Sequence, residues 1–343
     1  MNWLEIQEAA KKLEGFKCRV CRECNGVACR GELPGMGGKD SGRSFIRNFE
    51  DWHKMAIDMS VLYDNKEVDT SITFLGKEFK MPIFIAPMGA LTMNYGVDLS
   101  DGEYADYIVR GSQAVGSLAF TRDGLDKKLF TDPIEVISQN GGLGIPTCKP
   151  WAMNEILERL YFAKEKGVFA MAMDIDAAGL PFIISAGTSA GAKSKEQMES
   201  IIGESGLPFI VKGIMTAADA RTCVEVGAQA IVVSNHGGRV LDLCPSTCEI
   251  LSEIVEEVKG EITILVDGGI RSGMNVFMAL ALGADAVLIG RPVGLAAYGG
   301  RQLGNGAEGV ATYLNKIHGE LVQTMKMTGA TNLEEIWKKR PIR

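Results

Sequence analysis

The stretch Ala230-Ile231-Val232-Val233-Ser234-Asn235-His236-Gly237-Gly238-Arg239 shows the pattern that decides the fold of this chain. Its first four residues are apolar and mostly β-branched, and such a short run predicts a buried strand. A histidine, an arginine and two glycines follow, so polar side chains lie at the carboxyl end of the strand. The same order of buried strand and polar loop recurs along the chain.

Eight strands of this kind are predicted, with helical segments between them. Thr216, Ser246 and Ser272 each follow a strand and can cap the next helix. Eight successive strand–helix units predict an α/β fold, a closed (β/α)8 or TIM barrel, whose catalytic groups project from the carboxyl ends of the strands. The predicted strands are Ile83–Pro87, Ser117–Thr121, Leu143–Thr147, Phe169–Ile175, Pro208–Ile214, Ala230–Ser234, Thr263–Asp267 and Ala286–Gly290.

The remaining segments are expected to flank one barrel domain. Since no linker rich in Ser, Pro or Gly occurs after residue 80, the barrel is predicted to be a single domain. The expected division is an N-terminal extension over 1–80, with helices at 1–15 and 44–58 and a hairpin near 72–77, then the barrel over 81–330, and a C-terminal helix or tail over 331–343.

Composition limits the partners of the protein. The 343 residues carry a net charge of −7, which argues against a nucleic-acid partner because such partners require a basic surface. No apolar run is long enough to cross a membrane, and the first residues form an amphipathic helix rather than a signal peptide. A cytoplasmic protein acting on a small molecule is expected.

His236 and Arg239 are the first candidates for function. A histidine can take a proton near neutral pH, and an arginine three residues later offers a planar fork that matches a carboxylate. This pair indicates a base and an anion clamp for an acidic substrate. The alternative is a structural histidine beside a surface arginine.

Two later loops have the composition of a phosphate site. Gly268, Gly269 and Arg271 follow the seventh predicted strand, and Gly290 and Arg291 follow the eighth. Loops at these two positions of a TIM barrel recurrently bind phosphate through backbone N–H groups, and glycine allows close approach. Both loops together predict a phosphate-bearing cofactor, although ordinary loop glycines are the alternative for either one alone.

Lys212 is a charged residue within the otherwise apolar fifth strand. A lysine that faces the barrel interior needs an anionic or electron-rich partner, such as the edge of a flavin that becomes negative on reduction. The alternative is a lysine that extends to solvent at the end of its strand.

Several long motifs resemble the FMN-dependent 2-hydroxy-acid oxidases and dehydrogenases, a family that includes glycolate oxidase and lactate oxidase. The resemblance covers about residues 80–330. Its motifs are Pro82-Ile83-x-Ile85-Ala86-Pro87-Met88, Val211-Lys212-Gly213-Ile214-x-Thr216-Ala217, Ser234-Asn235-His236-Gly237-Gly238-Arg239-x-Leu241-Asp242, Asp267-Gly268-Gly269-Ile270-Arg271-x-Gly273 and Ile289-Gly290-Arg291-Pro292.

This resemblance implies FMN as cofactor, oxidation of a 2-hydroxy acid and a homotetramer. It implies His236 as the base, Asp176 as its orienting carboxylate, Lys212 as a stabiliser of reduced flavin and Arg239 as the substrate clamp. The electron acceptor is left open. The FMN site implied by the resemblance comprises Ala86, Pro87, Met88, Lys212, Ser234, His236, Gly237, Arg239, Asp267, Gly268, Gly269, Arg271, Gly290 and Arg291.

The chain also departs from the family pattern. It has Pro146-Thr147-Cys148 where the family carries a glutamine and a tyrosine, and it lacks the second substrate arginine and the N-terminal substrate tyrosine. The span from Asp176 to Lys212 is short, which predicts a truncated lid. Two alternatives therefore stay open: an FMN enzyme with another reaction, such as a type 2 isopentenyl-diphosphate isomerase, or a redox- or metal-sensing protein.

Four cysteines lie close together in the N-terminal extension, at Cys18, Cys21, Cys24 and Cys29. Four thiolates at short spacing can bind zinc or an iron–sulfur cluster, although these intervals match no standard motif. Arg19, Arg22 and Arg30 are expected to lower the thiol pKa values. The alternative is a set of reduced thiols in a loop over the barrel mouth.

Overall fold

The computed structural model describes residues 1–64 and 66–339. Within them the strands are β1 Ile72–Phe74, β2 Lys77–Phe79, β3 Ile83–Ile85, β4 Phe120–Thr121, β5 Ile145–Cys148, β6 Met171–Asp174, β7 Phe209–Ile214, β8 Ala230–Val233, β9 Thr263–Val266 and β10 Ala286–Ile289. The α-helices are α1 Trp3–Lys11, α2 Arg43–His53, α3 Leu91–Tyr95, α4 Asp101–Ala114, α5 Lys128–Gln139, α6 Met153–Glu165, α7 Pro181–Ser185, α8 Lys195–Ser205, α9 Ala217–Glu225, α10 Thr247–Val258, α11 Gly273–Ala281, α12 Arg291–Gln302, α13 Gly306–Thr328 and α14 Leu333–Trp337, and a 3₁₀ helix spans Ile175–Gly179.

The strands β3 to β10 form one eight-stranded parallel sheet. β3 pairs with β10 on one side, and a parallel bridge between Ile85 and Ala119 joins it to the β4 segment on the other side. The sheet is therefore closed, and the predicted TIM barrel is confirmed. Strand ends are shorter than predicted; for example, β6 stops at Asp174 because Ile175 already begins the 3₁₀ helix.

Side-chain alternation along the strands decides which residues face the inside of the barrel. Phe84, Phe120, Ile210, Val232 and Leu265 belong to one buried cluster, and their strand neighbours pack in a second cluster against the helices. Because strand side chains alternate with a period of two, the next residue on the inner face lies two positions further on. On this reasoning the inner face continues at the carboxyl ends with Ala86, Arg122, Asp174, Lys212, Ser234, Asp267 and Gly290.

The opposite end of the barrel is closed by the β1–β2 hairpin. Phe74 and Phe79 belong to the inner cluster, and the centroids of both rings lie 5.3 Å from that of Phe84. The amino-terminal end is thus filled with aromatic side chains, which leaves the carboxyl end as the open one.

The N-terminal extension packs over this open end. The side-chain amides of Asn48 on α2 and Asn235 exchange two hydrogen bonds of 2.7 and 3.0 Å. Trp52 Nε1 donates to Gly268 O at 2.8 Å. α2 therefore fixes the loops after β8 and β9.

The predicted domain limits at residues 80 and 330 stay predictions. The segment 331–343 contains α14, and its residues 340–343 lie outside the described part of the chain. Within the described residues, no helix has the length and apolar character needed to span a membrane.

Candidate active site

A cavity of about 310 Å³ opens at the carboxyl ends of the barrel strands. Its walls include most of the residues that were predicted to bind cofactor or substrate. These are Ala86, Pro87, Met88, Lys212, His236, Gly237, Arg239, Asp267, Gly268, Gly269, Arg271, Gly290 and Arg291.

His236 and Asp176 form the predicted pair. His236 Nδ1 lies 3.1 Å from Asp176 Oδ1, and an ionised carboxylate only accepts, so Nδ1 donates and Nε2 is left as the acceptor. The backbone of His236 is in the left-handed region, with φ of 57°. The adjacent Gly237 and Gly238 also have positive φ, and this turn directs the imidazole back over the barrel mouth.

Asp174 and Asp176 are two residues apart, and their pKa values shift in opposite directions. Burial alone would raise the pKa of Asp176, but the nearby charges of His236 and Lys212 outweigh burial and lower that pKa. Burial raises the pKa of Asp174, even though Lys149 Nζ lies 2.6 Å from its Oδ2. His236 Nε2 lies 3.9 Å from Asp174 Oδ2, so both carboxylates stabilise a protonated imidazole.

Lys212 is buried between two strand ends. Its Nζ donates to Ser234 Oγ at 2.8 Å and lies 3.3 Å from Asp267 Oδ2. Burial would lower the pKa of Lys212, but Asp267, Asp176 and Asp174 together raise it, so the ammonium stays charged. The snorkelling alternative is therefore wrong, because the side chain is in the barrel interior.

Ser234 as a cofactor contact stays a prediction. It is fully buried and does not line the cavity. Its Oγ accepts from Lys212 Nζ and, at 3.1 Å, from the backbone N–H of His236. It positions the two functional side chains.

Arg239 is held by the N-terminal extension. Its Nη1 donates to Gly35 O at 2.7 Å and to Gly37 O at 3.1 Å, and Nη2 donates to Asn94 Oδ1 at 3.2 Å. Burial, together with the positive charge of Arg291, lowers the pKa of Arg239 to about 9. Arg239 is thus a partly buried anchor of the 35–37 loop as well as a cavity-lining cation.

Arg271 and Arg291 come together beside the ring of Phe45. Arg291 donates to Met36 O and Gly237 O, and its guanidinium carbon lies 3.8 Å from the Phe45 ring centroid. Arg271 Nε donates to Cys24 O at 3.0 Å. Each guanidinium keeps further N–H groups for a ligand.

The glycines at the ends of β9 and β10 lie in closely packed positions. A Cβ on Gly269 would lie 1.9 Å from Asn48 O, and one on Gly290 would lie 3.1 Å from Met88 Sδ. Both Gly268 and Gly269 also have positive φ. Close packing within the protein explains these glycines, and the predicted approach of a phosphate explains them equally.

Comparisons with known proteins agree with this geometry. The model of the FMN-dependent dehydrogenase family matches residues 35–181 and 184–341. The chain belongs to this family. The predicted resemblance is confirmed, and with it the prediction of an FMN-dependent oxidoreductase.

Two sequence relatives and one solved structure illustrate the match. Glycolate oxidase 5 of Oryza sativa subsp. japonica is 31% identical over 322 residues, which is 82% of this chain and 83% of the relative. L-lactate oxidase of Lactobacillus jensenii is 31% identical over 304 residues, 80% of this chain and 71% of the relative. A solved mandelate oxidase variant with a monooxide FMN adduct is 28% identical and superposes with a TM-score of 0.74, covering 92% of this chain and 98% of that one.

The cavity fits FMN, the cofactor of this family. Two arginines at the ends of β9 and β10 offer charge to a phosphate, and Gly290 precedes α12 without a side-chain cap, so the positive end of that helix is open. Lys212 lies deeper, where an anionic edge can meet it. Buried Asp267 Oδ1 has no hydrogen-bond partner among the described residues.

Four further polar residues of the site were not predicted: Arg122, Asp123, Lys149 and Asp174. Arg122, Asp123 and Lys149 line the cavity, and Asp174 is the buried partner of Lys149. A signal existed in the sequence, because each residue follows or ends a predicted strand at its carboxyl end.

The structure does not support the predicted zinc or iron–sulfur site. A second cavity of about 240 Å³ is lined by Cys18, Cys21, Cys24 and Cys29. Among the described residues, however, the only group of three or more potential ligands within 4.8 Å is Asp174, Asp176 and His236.

The expected lowering of the thiol pKa values is also wrong for two of these cysteines. Burial raises the pKa of Cys18 to about 11 and also raises that of Cys29. Of the neighbouring arginines, Arg19 is engaged elsewhere, since its Nη1 lies 2.8 Å from Glu32 Oε2. Burial thus favours the protonated thiol at Cys18 and Cys29.

The short segment after Asp176 still covers part of the mouth. It contains the 3₁₀ helix, α7 and α8, and Leu180, Pro181, Phe182 and Ser185 line the cavity. The 3₁₀ helix and these two α-helices thus lie where a truncated lid was expected.

Proposed function

We propose that this protein oxidises a 2-hydroxy acid to the corresponding 2-oxo acid, with FMN as cofactor. The observation that carries the proposal is the 3.1 Å contact between His236 Nδ1 and Asp176 Oδ1 in a cavity that also presents Lys212 and Arg239. The names of the relatives support the substrate class, because glycolate and L-lactate are 2-hydroxy acids. No comparison favours the isomerase or sensor alternatives.

His236 is the base of the proposed reaction. Its Nε2 takes the proton of the substrate hydroxyl while the C2–H bond breaks and the C–O bond becomes a carbonyl. Asp176 holds the ring through Nδ1 and, together with Asp174, stabilises the imidazolium that forms. When bound, FMN supplies the acceptor for the hydrogen and electron pair that leave C2.

Lys212 and Arg239 contribute fixed positive charge. Lys212 lies beside Asp267 and can stabilise the negative charge that develops on a reduced cofactor. Arg239 uses three of its five N–H donors on Gly35, Gly37 and Asn94, so Nε and one Nη2 hydrogen are left for the substrate carboxylate. The loop contacts hold that fork in place before the substrate binds.

The phosphate of FMN is assigned to Arg271, Arg291 and the loops that carry Gly268, Gly269 and Gly290. These groups line the same cavity as the base. Zinc and iron–sulfur clusters are left out of the proposal, because the four N-terminal thiols are not gathered around one point. The homotetramer and the cytoplasmic location stay predictions.

A turnover panel tests the proposed function. Purified protein is expected to release FMN on denaturation and to convert at least one 2-hydroxy acid to its 2-oxo acid, identified by mass spectrometry. Assays under air and with an artificial electron acceptor separate an oxidase from a dehydrogenase. A protein that binds FMN but converts none of the acids with either acceptor contradicts the proposal.

A further inference from the structure

The side chain of Arg122 enters the cavity from the end of β4. Arg122 comes two positions after Phe120, whose ring lies inside the barrel, and it lines the cavity. Two glycines make room for it. A Cβ on Gly89 would lie 1.7 Å from Arg122 Cδ, and one on Gly124 would lie 2.7 Å from its Nη2.

The guanidinium of Arg122 has unused donors. Within the described residues it donates no hydrogen bond, and Nε is fully buried without a partner. Its one ion-pair contact is with Asp101 Oδ1 at 3.5 Å from Nε, and that oxygen already accepts from Ala90 N at 2.9 Å. The side chain is only 12% exposed. A buried donor without a partner is costly, so this group is suited to a ligand.

The other charged groups on this side of the cavity are already paired. Lys149 binds Asp174 at 2.6 Å. Asp123 Oδ2 accepts from Arg159 Nε at 2.7 Å and from Trp151 Nε1 at 2.5 Å. Among the described residues of this wall, Arg122 is therefore the cation that donates no hydrogen bond, whereas Lys149 donates to Asp174.

Arg122 and Arg239 lie on opposite sides of the barrel mouth. Arg122 follows β4 and Arg239 follows β8, and these strands are four places apart in a closed sheet of eight. From these positions the two guanidiniums can hold two acidic groups at the two ends of one substrate.

We propose that Arg122 binds a second carboxylate at the far end of the substrate, so that the substrate is a 2-hydroxy dicarboxylate. This inference rests on the proposed function, with Arg239 holding the carboxylate next to the reacting carbon. The planar fork of Arg122 matches a carboxylate in a bidentate contact. A substrate with an apolar far end would leave the buried guanidinium without a partner.

A substrate pair of equal chain length tests the inference. Malate is compared with 2-hydroxybutyrate, and 2-hydroxyglutarate with 2-hydroxyvalerate, each as both enantiomers, and kcat/KM for flavin reduction is measured. We expect the dicarboxylate to be preferred by about 10- to 150-fold, the effect of one charge-assisted contact. Arg122→Gln is expected to remove most of this preference, and Arg122→Lys to keep part of it.

Arg110→Gln provides the matched control. Arg110 lies on α4, is paired with Asp106 and has a side chain 57% exposed, so its loss is expected to leave the preference unchanged. Calorimetry with 2-oxoglutarate and 2-oxovalerate gives a binding measurement that does not depend on turnover. The same loss of preference is expected there for Arg122→Gln.

The outcomes separate this inference from the proposed function. Reduction of the flavin by monocarboxylates alone, or a dicarboxylate preference that survives in a folded Arg122→Gln variant, overturns the role of Arg122 and leaves the function standing. Failure of both dicarboxylates to reduce the flavin of the wild-type protein also overturns the inference, and the function itself fails only when no 2-hydroxy acid of the turnover panel reduces the flavin.

Discussion

The two sides of the cavity differ in how far their basic side chains are paired with other residues. On the β6–β9 side, His236, Asp176 and Lys212 contact one another or their neighbours within 3.3 Å. On the β3–β5 side, Lys149 is paired, but Arg122 donates no hydrogen bond among the described residues. The first side is preorganised for proton transfer, and the second is left incomplete for recognition.

Replacing the base on the β6–β9 side should have the largest effect on the rate of flavin reduction. In His236→Gln the turn and the cavity stay, but no group takes the hydroxyl proton. We expect flavin reduction to slow by about 10²- to 10⁴-fold, the usual contribution of a positioned base. Anaerobic stopped-flow absorbance measures the rate, and FMN content should stay that of the wild type. A variant that reduces its flavin at the normal rate would show that His236 is not the base.

Asp176→Asn should have a smaller effect on the same side. The amide keeps the shape but loses the charge that stabilises the imidazolium. A decrease of about 10- to 150-fold in the reduction rate corresponds to one charge-assisted hydrogen bond. The pH profile of the rate is the readout that separates this role from a structural one, because the histidine loses a charge partner. An unchanged rate and profile would contradict the pairing.

Arg271→Ala tests the phosphate end of the cavity. The substitution removes one positive charge without touching His236. We expect FMN to dissociate about 10-fold more readily, as measured by fluorescence on dilution. Arg301→Ala is the control, because Arg301 is an arginine at the far end of α12 that does not line the cavity. Equal FMN affinity in the Arg271 variant and the wild type would remove Arg271 from the phosphate site.

The opposite pKa shifts of Asp174 and Asp176 should give the smallest effect, a change in how the free energy of unfolding depends on pH. Asp176 has a lowered pKa, so its stabilisation is present above its ordinary value of 3.8 and is lost as pH falls below it. Asp174 has a raised pKa, so its stabilisation is present at or below 3.8 and is lost as pH rises through the folded value. Urea unfolding of Asp176→Asn and Asp174→Asn across this pH range should therefore deviate from the wild type in opposite directions. Deviations of the same sign would contradict the assignment.

The sequence predicted the β6–β9 side much better than the β3–β5 side. His236, Lys212 and Asp267 lie in long motifs next to clear apolar strands, and strand alternation alone turns Lys212 inward. Arg122 and Lys149 lie in loops after strands whose ends were less distinct. β4, for example, has two residues where five were predicted. The position of Arg122 after a predicted strand could be read from the sequence. Its lack of hydrogen-bond partners among the described residues could not, because it depends on Gly89, Asp101 and Gly124, which only the fold brings close to it.

The engagement of Arg239 could not be predicted for a similar reason. Its hydrogen bonds join it to Gly35 and Gly37, about two hundred residues earlier in the chain. No local pattern encodes such a contact. The cysteine segment shows the same limit, because its spacing allowed a metal site, and burial in the folded chain instead raises the pKa values of Cys18 and Cys29.

Anaerobic titration of the FMN-loaded protein with 2-hydroxy acids tests the central claim most directly. The account predicts that at least one acid reduces the flavin completely, with one 2-oxo acid formed per flavin and a slower reduction when C2 carries deuterium. An oxidised flavin spectrum that stays unchanged with every mono- and dicarboxylate tested, at saturating concentrations, would contradict it.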